Sequence, residues 1–309
     1  MKLQDITLEE FVSLLVNDMD AVEQFYRLSH GEKSGNTISL LFNPHRLDTQ
    51  TSVSDGKSIF NAIHNDKYLN GLARLYLYNL EHGVNKPFYR AIERGFNGVQ
   101  YVNEFPPFAS RDIILKYNTS DSDKINVLDP CCGWGGRMIG CASIPNTHYF
   151  GYEPSTQTFE GLMRLGNWLQ TLNPSFEFTI YNKPYEDAYK LYDNLYDVAL
   201  TSPPYFNTEI YSSEETNSMN RYTEFDLWVR NFYEPLIVNT MNAISESSSF
   251  VVNVSSRRYP LFEAACDICD NNGFTIQEIN SYLSGGHEKF YVISKHGSEF
   301  AKVHRTKLF

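Results

Sequence analysis

The feature that most constrains the fold is an alternation that begins near residue 110. From there, short apolar segments alternate with longer segments whose apolar residues recur at helical spacing. A helix over Arg111 to Tyr117 precedes a strand over Ile125 to Leu128. Further strands are expected at His148 to Tyr152, Phe176 to Tyr181, Tyr196 to Leu200 and Phe250 to Val254, with a helix over Phe159 to Leu172. Strands linked through helices are joined by right-handed crossovers and form a parallel sheet. The last apolar segments, Phe274 to Leu283 and Lys289 to Ser294, are separated by Ser284-Gly285-Gly286 and read as a hairpin-like pair. Residues 110–309 are therefore expected to form a doubly wound α/β domain. Its ligand site should lie at the carboxyl ends of the central strands.

The first of those strand ends is unusual. Asp129-Pro130-Cys131-Cys132-Gly133-Trp134-Gly135-Gly136-Arg137 follows the strand and opens a helix. Glycines allow unusual dihedrals and close approach of a ligand to the backbone, and the helix start beyond them favours electron-rich groups. A phosphate loop is excluded, because no Gly-Lys-Ser/Thr follows, and the dinucleotide pattern fails for want of a glycine at position 138. The second strand ends in Gly151-Tyr152-Glu153-Pro154, which puts Glu153 about 20 residues after the glycine turn, at the distance and position of a ribose-hydroxyl acceptor. After the third strand, Glu186 and Asp187 are candidates to accept from an adenine amino group.

The fourth strand runs into Thr201-Ser202-Pro203-Pro204-Tyr205-Phe206. Two prolines fix two backbone dihedrals and remove two N–H donors, leaving a rigid turn rich in carbonyl acceptors. Such a turn suits the capture of an amino group, and Tyr205 supplies a flat face for a base. With this turn in place, residues 101–300 resemble the DNA amino-methyltransferases, which modify cytosine N4 or adenine N6. The carrying residues are Asp129, Pro130, Gly133 and Gly135, with Cys131 where the family has Phe, and Ser202, Pro203, Pro204 and Tyr205 without departure. Phe105-Pro106-Pro107-Phe108-Ala109-Ser110-Arg111 resembles the segment that borders the methionine end of the cofactor, and Tyr222, Trp228, Pro235 and Lys289-Phe290-Tyr291 extend the likeness downstream.

The resemblance implies a Rossmann-like class I methyltransferase sheet of seven strands with an antiparallel last pair. It also implies S-adenosyl-L-methionine as cofactor and no metal. Cofactor contacts are expected from Phe105, Pro106, Asp129, Cys131, Gly133, Gly135, Glu153, Glu186 and Asp187. Ser202, Pro203, Pro204 and Tyr205 would form the catalytic turn, and Phe206, Tyr211, Arg257 and Arg258 would contact substrate. The Ser before Pro-Pro-Tyr points to cytosine N4 as target. Adenine N6 is the first alternative and a protein amide or amine the second. A non-catalytic nucleic-acid-binding module is argued against by the intact turn.

Composition bears on the partner. Net charge is −11; residues 1–100 carry 10 basic and 12 acidic side chains and the remainder 16 and 25, so neither part is a basic clamp for an anionic polymer. DNA contact would then rest on a local patch, and a role in DNA methylation beside a restriction enzyme is compatible with the motifs. Residues 1–100, which carry no family resemblance, read as mostly helical, with a short strand at Ile38 to Phe42, and form either a recognition region or a cap. Their candidate phosphate contacts are His45, Arg46, Lys57, Lys67, Arg90 and Arg94. Asn207 to Asn220 is polar and reads as a mobile loop over the site. Cys266-Asp267-Ile268-Cys269 lacks a second ligand pair and reads as helix core rather than zinc site. Cys131-Cys132 is not followed by the Pro-Cys that a cytosine-C5 enzyme would carry after the fourth strand. No apolar run could span a membrane and the start reads as no signal peptide. With five cysteines in no regular framework, a cytoplasmic location is expected. A homo-oligomer is allowed, and too little chain follows the last strand for a carboxyl-terminal recognition domain.

Overall fold

The computed structural model describes residues 3–51, 57–187, 195–280 and 288–295. The helical amino-terminal part holds α1 (Leu8–Ser13), α2 (Asp18–Ser29), the two-residue strand β1 (Gln50–Thr51), α3 (Ile59–Ile63), α4 (Asp66–Glu81) and α5 (Pro87–Glu93). Helix α1 starts with a capping box in which Thr7 and Glu10 satisfy each other's backbone N–H. One stretch departs from the sequence reading. Ile38–Leu41 forms a 3₁₀ turn rather than a strand, with Ile38 and Leu40 fully buried; a short, mainly apolar run cannot distinguish a buried turn from a strand by periodicity. Helices α1 and α2 are separate, because Asn17 caps a second start through the Asp20 N–H.

The chain continues with α6 (Pro107–Tyr117), β2 (Ile125–Asp129), α7 (Gly136–Ala142), β3 (Thr147–Tyr152), α8 (Thr156–Leu172), β4 (Glu177–Tyr181) and β5 (Val198–Thr201). It proceeds through β6 (Glu209–Ile210), α9 (Ser218–Arg221), α10 (Phe225–Trp228), a π-turn over Val229–Tyr233, α11 (Glu234–Ala243), β7 (Phe250–Val254), α12 (Leu261–Asn272), β8 (Phe274–Ile279) and β9 (Lys289–Lys295). Seven strands form one sheet in the order β4-β3-β2-β5-β7-β9-β8. All neighbours are parallel except β9, which runs antiparallel to both β7 and β8. This is the doubly wound sheet with an antiparallel last pair that the strand pattern and the resemblance called for. Ser284-Gly285-Gly286, the expected turn between β8 and β9, lies outside the described residues.

Alternation along each strand sends neighbours to opposite faces. Val127, Val251 and Val292 join a core that includes α7, α8 and the amino-terminal helices, while Leu128, Val252, Tyr291 and Ile293 join a second core beneath the π-turn, α11 and α12. Residues 3–103 therefore share one continuous core with one face of the sheet, from Phe11 and Phe25 through Ile92 to Leu162 and Leu165. A second link is the antiparallel pairing of β1 with β6, Gln50 opposite Ile210. Cys269 is buried in the second core and Cys266 is partly buried, as expected of helix packing, and among the described residues no metal-ligand cluster occurs.

Candidate functional site

A pocket opens where β2, β3, β5 and β7 end. It is lined by the glycine turn, Glu153, Glu186, the Ser202–Tyr205 turn and Asn253, with Phe105 and Glu104 behind and Tyr211 to Ser218 along one rim. No helix among the described residues is long and apolar enough to cross a membrane.

The glycine turn is shaped by its backbone. Gly133 and Gly135 adopt φ of +56° and +103°, which a side chain would resist. A Cβ on Gly136 would stand 2.1 Å from the Phe105 carbonyl oxygen, so the segment before α6 lies directly on the turn. Asp129 departs from the expectation of a ligand contact. It is fully buried, and its carboxylate accepts from the Cys131 N–H at 3.2 Å, the Thr201 hydroxyl at 2.8 Å, Arg137 Nε at 2.7 Å and the Tyr149 hydroxyl at 2.6 Å. Four donors occupy the capacity of a carboxylate. Asp129 therefore ties β2, β3, β5 and α7 together rather than facing the pocket. Arg137, which lines the pocket, is held by this acid and by the Cys131 carbonyl, and its guanidinium lies 5.2 Å from the Phe105 ring centroid. Burial pushes the Cys131 and Cys132 thiols well up, and the Asp129 charge adds to it, so neither is poised as a thiolate nucleophile.

Glu153 does reach the pocket wall. It is 8% exposed, and burial raises its carboxyl to about 8 despite N–H donation from Ser155 and Gly133. Glu186 also lines the pocket; burial raises it to about 7 against the pull of Arg221, whose Nη1 stands 2.9 Å away. Asp187 does not join it. Its side chain is half exposed and holds the same guanidinium from outside, with bonds of 2.9 and 3.1 Å. Gly135 and Pro106, expected at the cofactor, are not among the lining residues; the first opens α7 and the second caps α6.

At the other end, β5 delivers the Ser202–Tyr205 turn. Ser202 Oγ and the Tyr205 hydroxyl lie 3.3 Å apart and both donate to Asn253 Oδ1, at 3.3 and 3.2 Å, while Asn253 Nδ2 donates to the Lys289 carbonyl at 3.1 Å. Two glutamates complete this end. Glu209 accepts from the Tyr211 hydroxyl, and Glu288 bonds Asn253; burial raises both carboxyls, and Glu288 in turn raises the Tyr205 phenol, already pushed up by burial. Asn253, Glu209 and Glu288 were not singled out in the sequence. Asn253 had a signal: a polar residue inside the otherwise apolar run Phe250–Val254, which burial tolerates only when it is hydrogen-bonded.

Three expectations on this side are corrected. Phe206 is not in the pocket. Its backbone takes φ +54°, and its ring packs among Tyr259, Phe225 and Trp228 at centroid distances of 5.0, 5.6 and 5.9 Å. Arg257 and Arg258 lie outside the pocket wall, Arg258 over Tyr259 at 5.6 Å. The segment 207–220 is strapped rather than loose. Its Glu214 carboxylate accepts from the Thr156 N–H at 3.0 Å, Thr216 donates to the Pro154 carbonyl at 3.1 Å, and Glu209–Ile210 pairs with β1. Tyr211 lines the pocket as expected.

The proposed phosphate contacts divide similarly. Arg46 is 1% exposed and pairs with Glu104 and the Tyr101 hydroxyl. His45 is pushed down to about 4 by burial and by Arg164 and Arg46, and bonds Thr158 at 3.0 Å, so it stays neutral at pH 7. Arg90 and Arg94 bond Glu93 and Asn79, and Lys57 and Lys67 lie over Tyr68 at 5.8 and 5.4 Å. Arg46 and His45 thus stand behind the lining residues Glu104 and Thr158 rather than presenting a free basic surface.

No family model matches the sequence, and no curated protein matches it. Solved structures do resemble it in shape. An rRNA methylase from Streptococcus thermophilus is 11% identical with a TM-score of 0.41, over 62% of this chain and 97% of that one. TrmN from Thermus thermophilus is 14% identical with a TM-score of 0.43, over 62% of this chain and 49% of that one. A TehB-like SAM-dependent methyltransferase from Corynebacterium glutamicum is 11% identical with a TM-score of 0.38, over 62% and 89%.

Proposed function

We propose that the chain is an S-adenosylmethionine-dependent methyltransferase acting on an exocyclic amine of a nucleic-acid base, N4 of cytosine in DNA. The observation that carries this reading is the Ser202-Pro203-Pro204-Tyr205 turn standing across one pocket from the glycine turn and Glu153. The residues fit an adenosyl ligand. Gly133, where a Cβ would meet only Arg137 Nη2 at 3.8 Å, leaves room for a ligand against the backbone, and Glu153 is a buried acceptor at a strand end. Glu153 would hold the ribose hydroxyls and Glu186 the adenine amino group. The bound cofactor supplies an electrophilic methyl on a sulfonium.

The chain's own task is to present the amine. An exocyclic amine is a poor nucleophile because its lone pair is delocalised into the ring. The Pro203 carbonyl and Ser202 Oγ would accept its two N–H bonds and turn the lone pair toward the methyl group. Tyr205, held by Asn253, would stack on the base. Orientation of this kind contributes much of the rate, and a base in a duplex must first flip out at a cost of a few kcal/mol.

A second reading, a protein side-chain amide or amine as acceptor, is favoured by one observation. Among the described residues the pocket wall carries Glu104, Glu153, Glu186, Glu209 and Glu288 against a single basic side chain, Arg137. One experiment separates the readings: incubate DNA and a protein lysate with isotope-labelled S-adenosylmethionine, then digest each to monomers. Labelled N4-methylcytosine is expected. Label confined to N6-methyladenine moves the target base, label confined to protein supports the second reading, and transfer to none of these overturns the proposal.

A further inference from the structure

Glu104 stands where the amino-terminal part meets the glycine turn, and its two carboxylate oxygens are treated differently. Oε2 accepts from the Ser39 hydroxyl and from Arg46. Oε1 is buried and accepts no hydrogen bond from any group of the described structure. The side chain is 5% exposed, lines the pocket, and holds Oε1 only 2.9 Å from where a Cβ on Gly136 would stand. An orphaned buried carboxylate oxygen is costly. Its cost is offset if a cation or N–H donor reaches it. The end torsion of a glutamate is soft, so Oε1 can swing to such a donor while Oε2 stays on Arg46.

We infer that Glu104 is the counter-ion for the α-ammonium of the cofactor's amino-acid end, held in place by Ser39 and Arg46 of the amino-terminal part. This rests on the cofactor reading above. It gives residues 3–103 a role in ligand binding, and it explains why Arg46 is buried rather than presented to a partner. Glu104 binds the ligand directly; Arg46 and Ser39 are positioning residues.

The test is calorimetric and needs no turnover. Wild-type protein is titrated with S-adenosylhomocysteine and with its analogue lacking the α-amino group. The amino compound is expected to bind about ten- to a hundredfold more tightly, the range of a charge-assisted hydrogen bond. In Glu104→Gln that preference should vanish, with the deamino analogue binding as it does to wild type. If the single variant does not fold, Arg46→Gln with Glu104→Gln replaces the buried pair by neutral side chains, which spares the cost of a lone buried charge, and the same loss of preference is expected. Equal affinity of the two compounds for wild type, or a preference that survives in the variant, overturns the role of Glu104 while leaving the cofactor reading standing. Failure of wild type to bind either compound overturns both.

Discussion

Adjacent strands β2 and β3 each end in a buried carboxylate, and the two are used in opposite ways. Asp129 is fully enclosed and meets four donors from four parts of the chain, among them a guanidinium. Glu153 meets two backbone N–H groups, lies on the pocket wall and is pushed up by burial to about 8. The first acid is saturated and fastens the turn; the second has acceptor capacity left over and faces a space a ligand can enter. Sequence position alone makes them look alike, since both follow an apolar strand and precede a turn. The partner count separates a fastening from a contact.

The largest expected effect falls on the fastening. Asp129→Ala leaves Arg137 charged, buried and without its acid, and chemical denaturation should show a loss of about 3–5 kcal/mol. A loss below about 1 kcal/mol would mean that the two acids do not differ in kind. Glu153→Ala should instead keep the fold and weaken S-adenosylhomocysteine by about 1.5–3 kcal/mol, read by calorimetry; unchanged affinity in a folded variant removes Glu153 from the contact.

At the amine end, Tyr205→Ala should lose about 1–3 kcal/mol of base stacking, seen as a raised KM for DNA with cofactor affinity unaltered. Normal methylation by this variant at low DNA concentration would separate the turn from substrate binding. The pH dependence sharpens the comparison of acids. Because the folded carboxyl of Glu153 is raised above its unfolded value, its contribution to stability is fully present below about 4.5 and is lost as pH climbs through about 8. Wild type should therefore lose stability relative to Glu153→Gln across that window; a constant difference between them would show that Glu153 titrates normally. The smallest effect is expected at the surface. Arg257→Glu with Arg258→Glu should change stability by about 0.5 kcal/mol or less, and a larger change in thermal melting would give that pair a structural part.

The sheet was readable because its signals are local. Phe250–Val254 is a strand from end to end, and β2, β3 and β4 fall within one residue of where the apolar runs place them. The Ser-Pro-Pro-Tyr turn was readable for the same reason: its chemistry is written in consecutive residues. What escaped depends on partners far along the chain. That Arg46 is buried follows from Glu104, 58 residues on; that Asp129 is saturated follows from Thr201, 72 residues on; that Asn253 reaches the turn follows from β7 lying beside β5. Phe206 looked like a pocket residue by adjacency, but a left-handed backbone turns its ring into the aromatic cluster. No periodicity reports such pairings.

The place of β9 in the sheet has a consequence for how the molecule is made. This strand follows β8 in the chain yet lies between β7 and β8, and its first residue carries the carbonyl that anchors Asn253. While β9 is still within the ribosome, β7 has an unpaired edge and Asn253 has no anchor. Open strand edges invite pairing with other chains, so a polypeptide stalled or cut before residue 289 is expected to be prone to aggregate, and the Ser202–Tyr205 turn should gain its anchored Asn253 support only once β9 has emerged.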